Sequence, residues 1–316
     1  MSPPTFRYAG GPLDRSGDHR VDADWLAAQL RSPSARVLPL WRDRHLVREG
    51  GDNAGDLRAV MLERELAQPV LDRCDEVVFL GTEDGGSVFA ADLTSLEEGT
   101  ARELVGSEAF IDLRRAGPSL PASEAAILAY ARALLYWHRT HRYCGCCGSP
   151  TVSGRGGHVR LCGNEHCARE IYPRTDPAVI MLVHATGPEP RCLLARHARL
   201  PPRVYTTLAG FVEPGESLEE AVAREVREEV DVRLANVRYQ GSQPWPFPSQ
   251  LMLGFRARAA TDDIRIDGVE IEAARWFSPG EIRRAGEWGD DEAEIQLPRR
   301  DSIACHLIES WLDEVL

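Results

Sequence analysis

The run from Ser217 to Val232 constrains this chain more than any other segment. Ser217 stands three residues before Glu220, the pattern of a capping box, in which side chain and backbone satisfy each other at a helix start. Val222, Val226 and Val230 recur every fourth residue, so the helix has an apolar stripe that must be buried. Glu225 and Glu229 share that spacing, and Glu228 lies beside them. Like charges so placed destabilise an isolated helix by roughly a few tenths of a kcal/mol. They call for full solvation or for a compensating cation. Taken alone the three residues fit a solvated acidic face, the commoner fate of glutamates.

A second constraint comes from cysteine. Five of the eight, Cys144, Cys146, Cys147, Cys162 and Cys167, fall in a Gly-rich stretch between Tyr143 and Arg169 that holds few apolar residues. Such a stretch cannot build a core and needs a staple. Two residues separate Cys144 from Cys147, four separate Cys162 from Cys167, and fourteen lie between the pairs. This spacing resembles a zinc ribbon, where two turns present four thiolates to one tetrahedral Zn²⁺ in a closed, structural site. Cys146 offers an alternative register for the first pair, His166 could replace Cys167, and a set of ordinary free thiols is the remaining reading. Cys74, Cys192 and Cys305 read as buried apolar residues.

Residues 1–139 read as a mixed α/β region. Strands are expected at Arg36 to Leu40, Leu46 to Arg48, Val77 to Gly81 and Ser87 to Leu93, the last two around a hairpin turn at Thr82 to Gly86, and a helix from Ser123 to Arg139. Beyond the cysteines, strands are expected at Ala178 to His184, Cys192 to Arg196, Arg238 to Gln240 and Leu251 to Ala259, and an amphipathic helix from Arg299 to Leu316. The net charge of −12 speaks against a broad basic surface for duplex nucleic acid. The chain has arginine but no lysine, so any phosphate clamp must use guanidinium groups. No apolar run is long enough for a spanning helix, so no membrane partner is expected. Met1 to Gly10 lacks a signal-peptide pattern, and the expected compartment is the cytoplasm.

Gly210-Phe211-Val212-Glu213-Pro214-Gly215-Glu216, then Arg224-Glu225-Val226 and Glu228-Glu229, resembles the Nudix box nearly throughout its 23 residues. The resemblance implies a Nudix α/β/α sandwich with a mixed sheet and a loop–helix–loop that carries Mg²⁺ or Mn²⁺. Its implied ligands are Glu225, Glu229, Glu228 as a third, and the Ala209 carbonyl; Arg224 would pair with the glutamates and orient them. The chemistry agrees. Cutting a phosphoanhydride needs its charge neutralised and a water activated, and hard cations on carboxylate oxygens do both. One position departs: the family has Gly where this chain has Asp231. A left-handed helix end there costs Asp on the order of 1 kcal/mol.

Ser242-Gln243-Pro244-Trp245-Pro246-Phe247-Pro248 follows the box. Its three alternating prolines stiffen the chain and can hold Gln243, Trp245 and Phe247 in fixed directions. Alone, the segment would equally suit a surface polyproline ligand. Beside the box it is similar to the signature of the NADH pyrophosphatase branch, as is Tyr172-Pro173-Arg174-Thr175-Asp176-Pro177. That branch also places a zinc ribbon before its catalytic domain. The resemblance implies an N-terminal α/β domain at 1–139, a ribbon at 140–174 and a Nudix domain at 175–316. It implies hydrolysis of NADH and NAD⁺ to a nicotinamide mononucleotide and AMP, removal of NAD caps from RNA, and a homodimer. By the same resemblance Gln243, Pro244, Trp245, Pro246, Phe247, Pro248, Ser249, Gln250, Tyr172, Phe211 and Ala304 contact substrate, and Glu270 is a further metal ligand and base. Core packing is the competing reading of Phe211 and Tyr172. The order Ser249-Gln250 is the reverse of the branch's usual one. Two rival readings are a Nudix enzyme for ADP-ribose or another dinucleotide, and a catalytically inactive zinc-ribbon binding protein. The intact glutamate set argues against the second.

Overall fold

The computed structural model describes residues 6–50, 55–106, 108–185, 189–266 and 268–315. The start of the expected N-terminal domain, 1–5, and Leu316 of the expected terminal helix lie outside them. The chain divides into two compact units, one of 7–175 with 245–249, the other of 1–6, 176–244 and 250–316.

The first unit is built on β1 (Arg36–Trp41), β2 (Arg44–Glu49), β3 (Leu57–Ala59), β4 (Leu62–Glu63), β5 (Glu76–Glu83), β6 (Gly86–Asp92) and β7 (Ala109–Asp112), with helices α1 (Ala23–Arg31), α2 (Arg64–Leu71), α3 (Glu98–Val105), α4 (Leu113–Ala116) and α5 (Ala122–Thr140). The sheet order is β3-β2-β1-β6-β5, with β4 added to β1 and β7 to β2. β1 and β6 run parallel, Val37 opposite Phe89, and β5 and β6 form the expected hairpin. Its turn places Asp84 and Gly85 at positive φ, as a tight hairpin requires. Alternation along β1 sends Leu38 and Leu40 into a core with Leu128 and Leu135 of α5, and Val37 and Trp41 into a second core on the other face.

The same unit carries a small sheet of β8 (Thr151–Gly154), β9 (Val159–Cys162) and β10 (Glu170–Ile171), ordered β10-β9-β8. It docks on the larger sheet through Gly157, where a Cβ would come within 2.4 Å of Val78. Next to it, His138 of α5 bonds the Gly157 carbonyl at 2.7 Å, and Arg160 donates to the Thr151 hydroxyl and carbonyl at 2.7 and 2.8 Å. These buried polar contacts fix the small sheet in place.

The second unit holds β11 (Asp176–Ala185), β12 (Arg191–His197), β13 (Leu208–Phe211), β14 (Leu234–Trp245), β15 (Gln250–Ala259) and β16 (Ile271–Phe277), with α6 (Leu218–Val230), α7 (Pro279–Arg284) and α8 (Ile303–Glu314). The order β14-β15-β11-β12-β16, with β13 on β11, makes a mixed sheet: β11 and β15 are parallel, β11–β12 and β12–β16 antiparallel. Val222, Val226 and Val230 of α6 are fully buried against Val179, Met181 and Val183. Alternate residues Ile180 and Leu182 meet Leu307, Ile308 and Trp311 of α8 on the other face. The result is an α/β/α sandwich of the Nudix kind. The capping box at Ser217 and Glu220 is formed in both directions. Among the described residues no helix is long and apolar enough to cross a membrane.

Asp231 ends α6 in the left-handed conformation, φ 57° and ψ 22°. An aspartate holds that geometry at a cost that glycine does not carry. Asp231→Gly should therefore raise the unfolding free energy by about 0.5–1 kcal/mol. Urea unfolding with an unchanged or lower midpoint would contradict this account of the helix end.

Candidate active site and metal centres

The box is assembled by strand pairing before any side chain is considered. β13 pairs with β11 so that Ala209 faces Ile180 and Gly210 faces Val179. The Glu225 carboxylate lies directly on this strand: a Cβ at Gly210 would fall 1.9 Å from its Cδ. Only glycine leaves that room. Burial pushes the Glu225 carboxyl above its ordinary range, Arg224 opposes the shift, and the charges of Glu228 and Glu270 add to it.

Arg224 organises the carboxylates around it. Its Nε and Nη2 clasp Glu216 as a fork at 2.6 and 3.0 Å. Nη1 donates to Glu225 at 2.9 Å and to Glu228 at 3.0 Å, and Nη2 also donates to the Phe211 carbonyl at 2.8 Å. One guanidinium thus ties the loop, β13 and α6 together, and its planar donors suit that task better than an ammonium would. The pairing holds the Glu216 carboxyl below its usual range and raises Arg224 further.

Glu229, one turn beyond Glu225, is only 4% exposed. Its Oε1 lies 3.5 Å from Nε2 of His197. A ligand atom from each of His197, Glu229 and Glu270 lies within 4.8 Å of the others. Three elements meet to make this. β12 and β16 are antiparallel, a bulge at Arg196 and His197 turns the end of β12, and the Ala198 amide donates to the Glu270 carbonyl at 2.9 Å. Glu270 is exposed and Glu228 is largely so. A buried carboxylate needs a positive partner. Two carboxylates and an imidazole in this span are a donor set that could hold a divalent cation. His197 belongs to no motif, and its only signal in the sequence is its place at the end of a buried strand.

The four-cysteine cluster is formed by Cys144, Cys147, Cys162 and Cys167, with sulfur atoms all within 4.8 Å. Cys144 and Cys167 sulfurs are 3.9 Å apart, those of Cys147 and Cys162 3.4 Å. Gly148, at φ 74°, closes the first turn by donating to the Cys144 carbonyl at 2.8 Å. Backbone amides of residues 146 and 147 lower the Cys144 thiol, and Ser149 lowers Cys147 to about 6. The neighbouring thiols and burial raise Cys162 and push Cys167 up to about 12, so it is the first pair that is biased toward the thiolate that zinc binds. The group excludes Cys146, which is exposed, and His166. Cys192 and Cys305 are buried, and burial pushes each thiol up to about 12; Cys74 is partly buried and pushed up to about 11.

The residues expected at the substrate fall in both units. In the second, Phe211 is 54% exposed at the end of β13, and Ala304 is buried in α8. Gln243 is fully buried. Its amide donates to the Asp301 carbonyl at 2.8 Å and accepts from the Ile303 amide at 2.8 Å, tying β14 to the start of α8. Pro244 and Gln250 are half-buried at the ends of β14 and β15. In the first unit, Phe247 is buried, with Tyr8 edge-on at 5.7 Å and Trp245 at 5.1 Å. Arg132 donates to the Pro246 carbonyl at 2.8 Å, and the guanidiniums of Arg114 and Arg132 lie over the Phe247 ring at 4.6 and 5.2 Å. Pro248 is exposed and Ser249 half-buried. Tyr172 is exposed and donates to Glu170 at 2.5 Å.

Three family profiles match the chain. A "NADH pyrophosphatase-like rudimentary NUDIX domain" matches 34–137, a "NADH pyrophosphatase zinc ribbon domain" 139–172 and a "NUDIX domain" 174–296. Among similar proteins, the NAD-capped RNA hydrolase NUDT12 of Macaca fascicularis is 36% identical, over 95% of this chain and 72% of its own length. The NAD-capped RNA hydrolase NudC of Mycobacterium bovis (strain BCG / Pasteur 1173P2) is 39% identical, over 95% of this chain and 94% of its own. Nudix hydrolase 19 of Arabidopsis thaliana, described as chloroplastic, is 40% identical over 80% of this chain and 63% of its own.

The seat of Glu225 on Gly210 generates a direct test. Gly210→Ala should leave the helix content unchanged and weaken Mn²⁺ binding, read by electron paramagnetic resonance, about tenfold, or about 1.4 kcal/mol. Wild-type Mn²⁺ affinity in that variant would show that the Glu225 position does not matter to the site.

Proposed function

The chain belongs to the NADH pyrophosphatase branch of the Nudix hydrolase family, and on that premise we propose that it hydrolyses the pyrophosphate of NADH and NAD⁺ to a nicotinamide mononucleotide and AMP, and removes NAD caps from RNA by the same cut. The observation that carries this reading is the meeting of Glu229, Glu270 and His197 beside carboxylates ordered by Arg224.

Glu225, Glu228, Glu229, Glu270 and the Ala209 carbonyl would hold Mg²⁺ or Mn²⁺, which when bound neutralises pyrophosphate charge and acidifies water. The chain's own residues do the rest. Arg224 keeps Glu216, Glu225 and Glu228 aimed, so little reorganisation is left for the reaction itself. Glu270, exposed at the rim, accepts the proton of the attacking water. His197, at the end of β12, lies with its Nε2 3.5 Å from the buried Glu229 Oε1 and holds that carboxylate in place. The exposed ring of Phe211 offers a stacking face for a base, and its carbonyl is fixed by Arg224. Tyr172, Ala304 and Gln243 to Gln250 are the further residues that the reading assigns to substrate; within its own unit, the packing of Phe247 and Pro246 keeps 245–249 stiff.

We assign a structural Zn²⁺ to Cys144, Cys147, Cys162 and Cys167. The assignment of domains to 1–139, 140–174 and 175–316, a homodimeric assembly and a cytoplasmic location belong to the same reading.

Glu229→Gln keeps the volume of the buried side chain and removes its charge. Turnover of NADH should fall about 10²–10³-fold, equivalent to roughly 3–4 kcal/mol of transition-state stabilisation, while the melting temperature stays within a few degrees of wild type. Near-normal turnover would remove Glu229 from the chemistry.

A further inference from the structure

The sheet of the second unit has an end that the proposed reaction does not use. The glutamate helix covers the face carrying Val179, Met181 and Val183. The other face carries Ile180 and Leu182 under α8. Toward the C-terminal end of β11 and β15 that second face continues as His184 and, in register with Leu182 and His184, Arg256 and Arg258. Arg238 and Gln240 of the edge strand β14 complete it. With Glu314 at the end of α8, these side chains line a cavity of about 770 Å³. Val179, which pairs with Gly210 of the box, is five residues before His184 on the same strand, roughly 16 Å at the usual strand rise, and points to the opposite face. The cavity is therefore separate from the carboxylates.

Its charge is unusual for this chain. Three arginines line it in a protein of net charge −12. Among the described residues, Glu314 is the one carboxylate lining it, and that side chain is 67% exposed. Glu314 pairs with Arg256, which also donates to Ser310 at 2.9 Å. Arg238 and Arg258 have no carboxylate partner among the described residues. The Arg256 side chain is nine-tenths buried, and its Nε has no acceptor. Burial and Arg256 together hold the His184 imidazole below its usual range, as a positive local field requires. Arg238 and Arg258 are exposed on the cavity wall, while Arg256 has lost its water without gaining a full set of acceptors.

We propose that this cavity is a second anion site, taking the phosphate of a nucleotide. A phosphate offers several strong acceptor oxygens at the spacing of guanidinium forks, and this chain has no lysine to do that work. The volume is that of a small-molecule site, larger than a bare phosphate needs. The phosphate can be that of a free mononucleotide or one within an oligonucleotide chain; the recognising chemistry is the same. The inference does not rest on the reaction proposed above.

The test uses the full chain at low salt with no added divalent cation, so that the carboxylate site lacks the metal that would draw a phosphate to it. Calorimetric titrations are made with AMP, with a 5′-phosphorylated single-stranded oligonucleotide, and with adenosine as the phosphate-free control. Wild type should bind at least one phosphate probe and not adenosine. Arg238→Gln/Arg258→Gln should weaken that binding at least tenfold, with the melting temperature and hydrolytic rate unchanged. Preference for AMP identifies a free nucleotide as ligand, and preference for the oligonucleotide identifies a nucleic-acid chain. Binding of no phosphate probe, or equal affinity in the double variant, overturns the proposal.

Discussion

One guanidinium stands at the centre of this structure's chemistry. Arg224 meets Glu216, Glu225, Glu228 and the Phe211 carbonyl at once. Without it those carboxylates would repel one another across a loop, a strand and a helix that must lie in close contact. With it, the carboxylates that destabilise α6 in isolation become an ordered array. Other features of the box serve the same end. The capping box fixes where the helix begins, the valine stripe fixes which face it turns to the sheet, and Gly210 lets Glu225 come down onto the strand. Asp231 ends the helix in a strained conformation, so the array is kept at some cost in stability.

The parts of the site that lie on one helix were legible in the sequence. Spacing alone put Glu225, Glu228 and Glu229 on neighbouring turns, and the departure at Asp231 located a left-handed residue. His197 was not legible. It comes from a different strand, and its approach to Glu229 depends on a bulge in β12 that no residue pattern announces. Gln243 sits in a motif read for substrate, yet where its amide points is decided by the start of α8, far along the chain. In the cysteine stretch, spacing left Cys146 and His166 open as alternatives. The turn at Gly148 and the pairing of β8 with β9 decide which sulfurs face one another. The first unit's long strands and α5 were readable from apolar runs, whereas the short β3, β4 and β7 lack such runs and appear only through their partners.

The first unit gives the N-terminal part of the chain a physical task. Residues 245–249 belong to it, and Tyr8, Arg114 and Arg132 surround Phe247 there. Arg132 holds the carbonyl of Pro246, so the proline-rich segment is fixed by packing as well as by its own stiffness. The ribbon is anchored in the same unit by Gly157 against Val78 and by the His138 and Arg160 contacts. A stretch with almost no core of its own thus borrows order from its thiol cluster and from the sheet beneath it.

The central question is which pyrophosphate the carboxylate array cuts. The most direct measurement is to incubate the protein with NADH and Mn²⁺ or Mg²⁺ and identify the products by mass spectrometry, with and without chelator. Reduced nicotinamide mononucleotide and AMP, formed only with the divalent cation present, are the predicted result. Intact NADH with either cation would contradict the account, and cleavage of ADP-ribose in its place would leave the metal chemistry standing but remove NADH as the substrate.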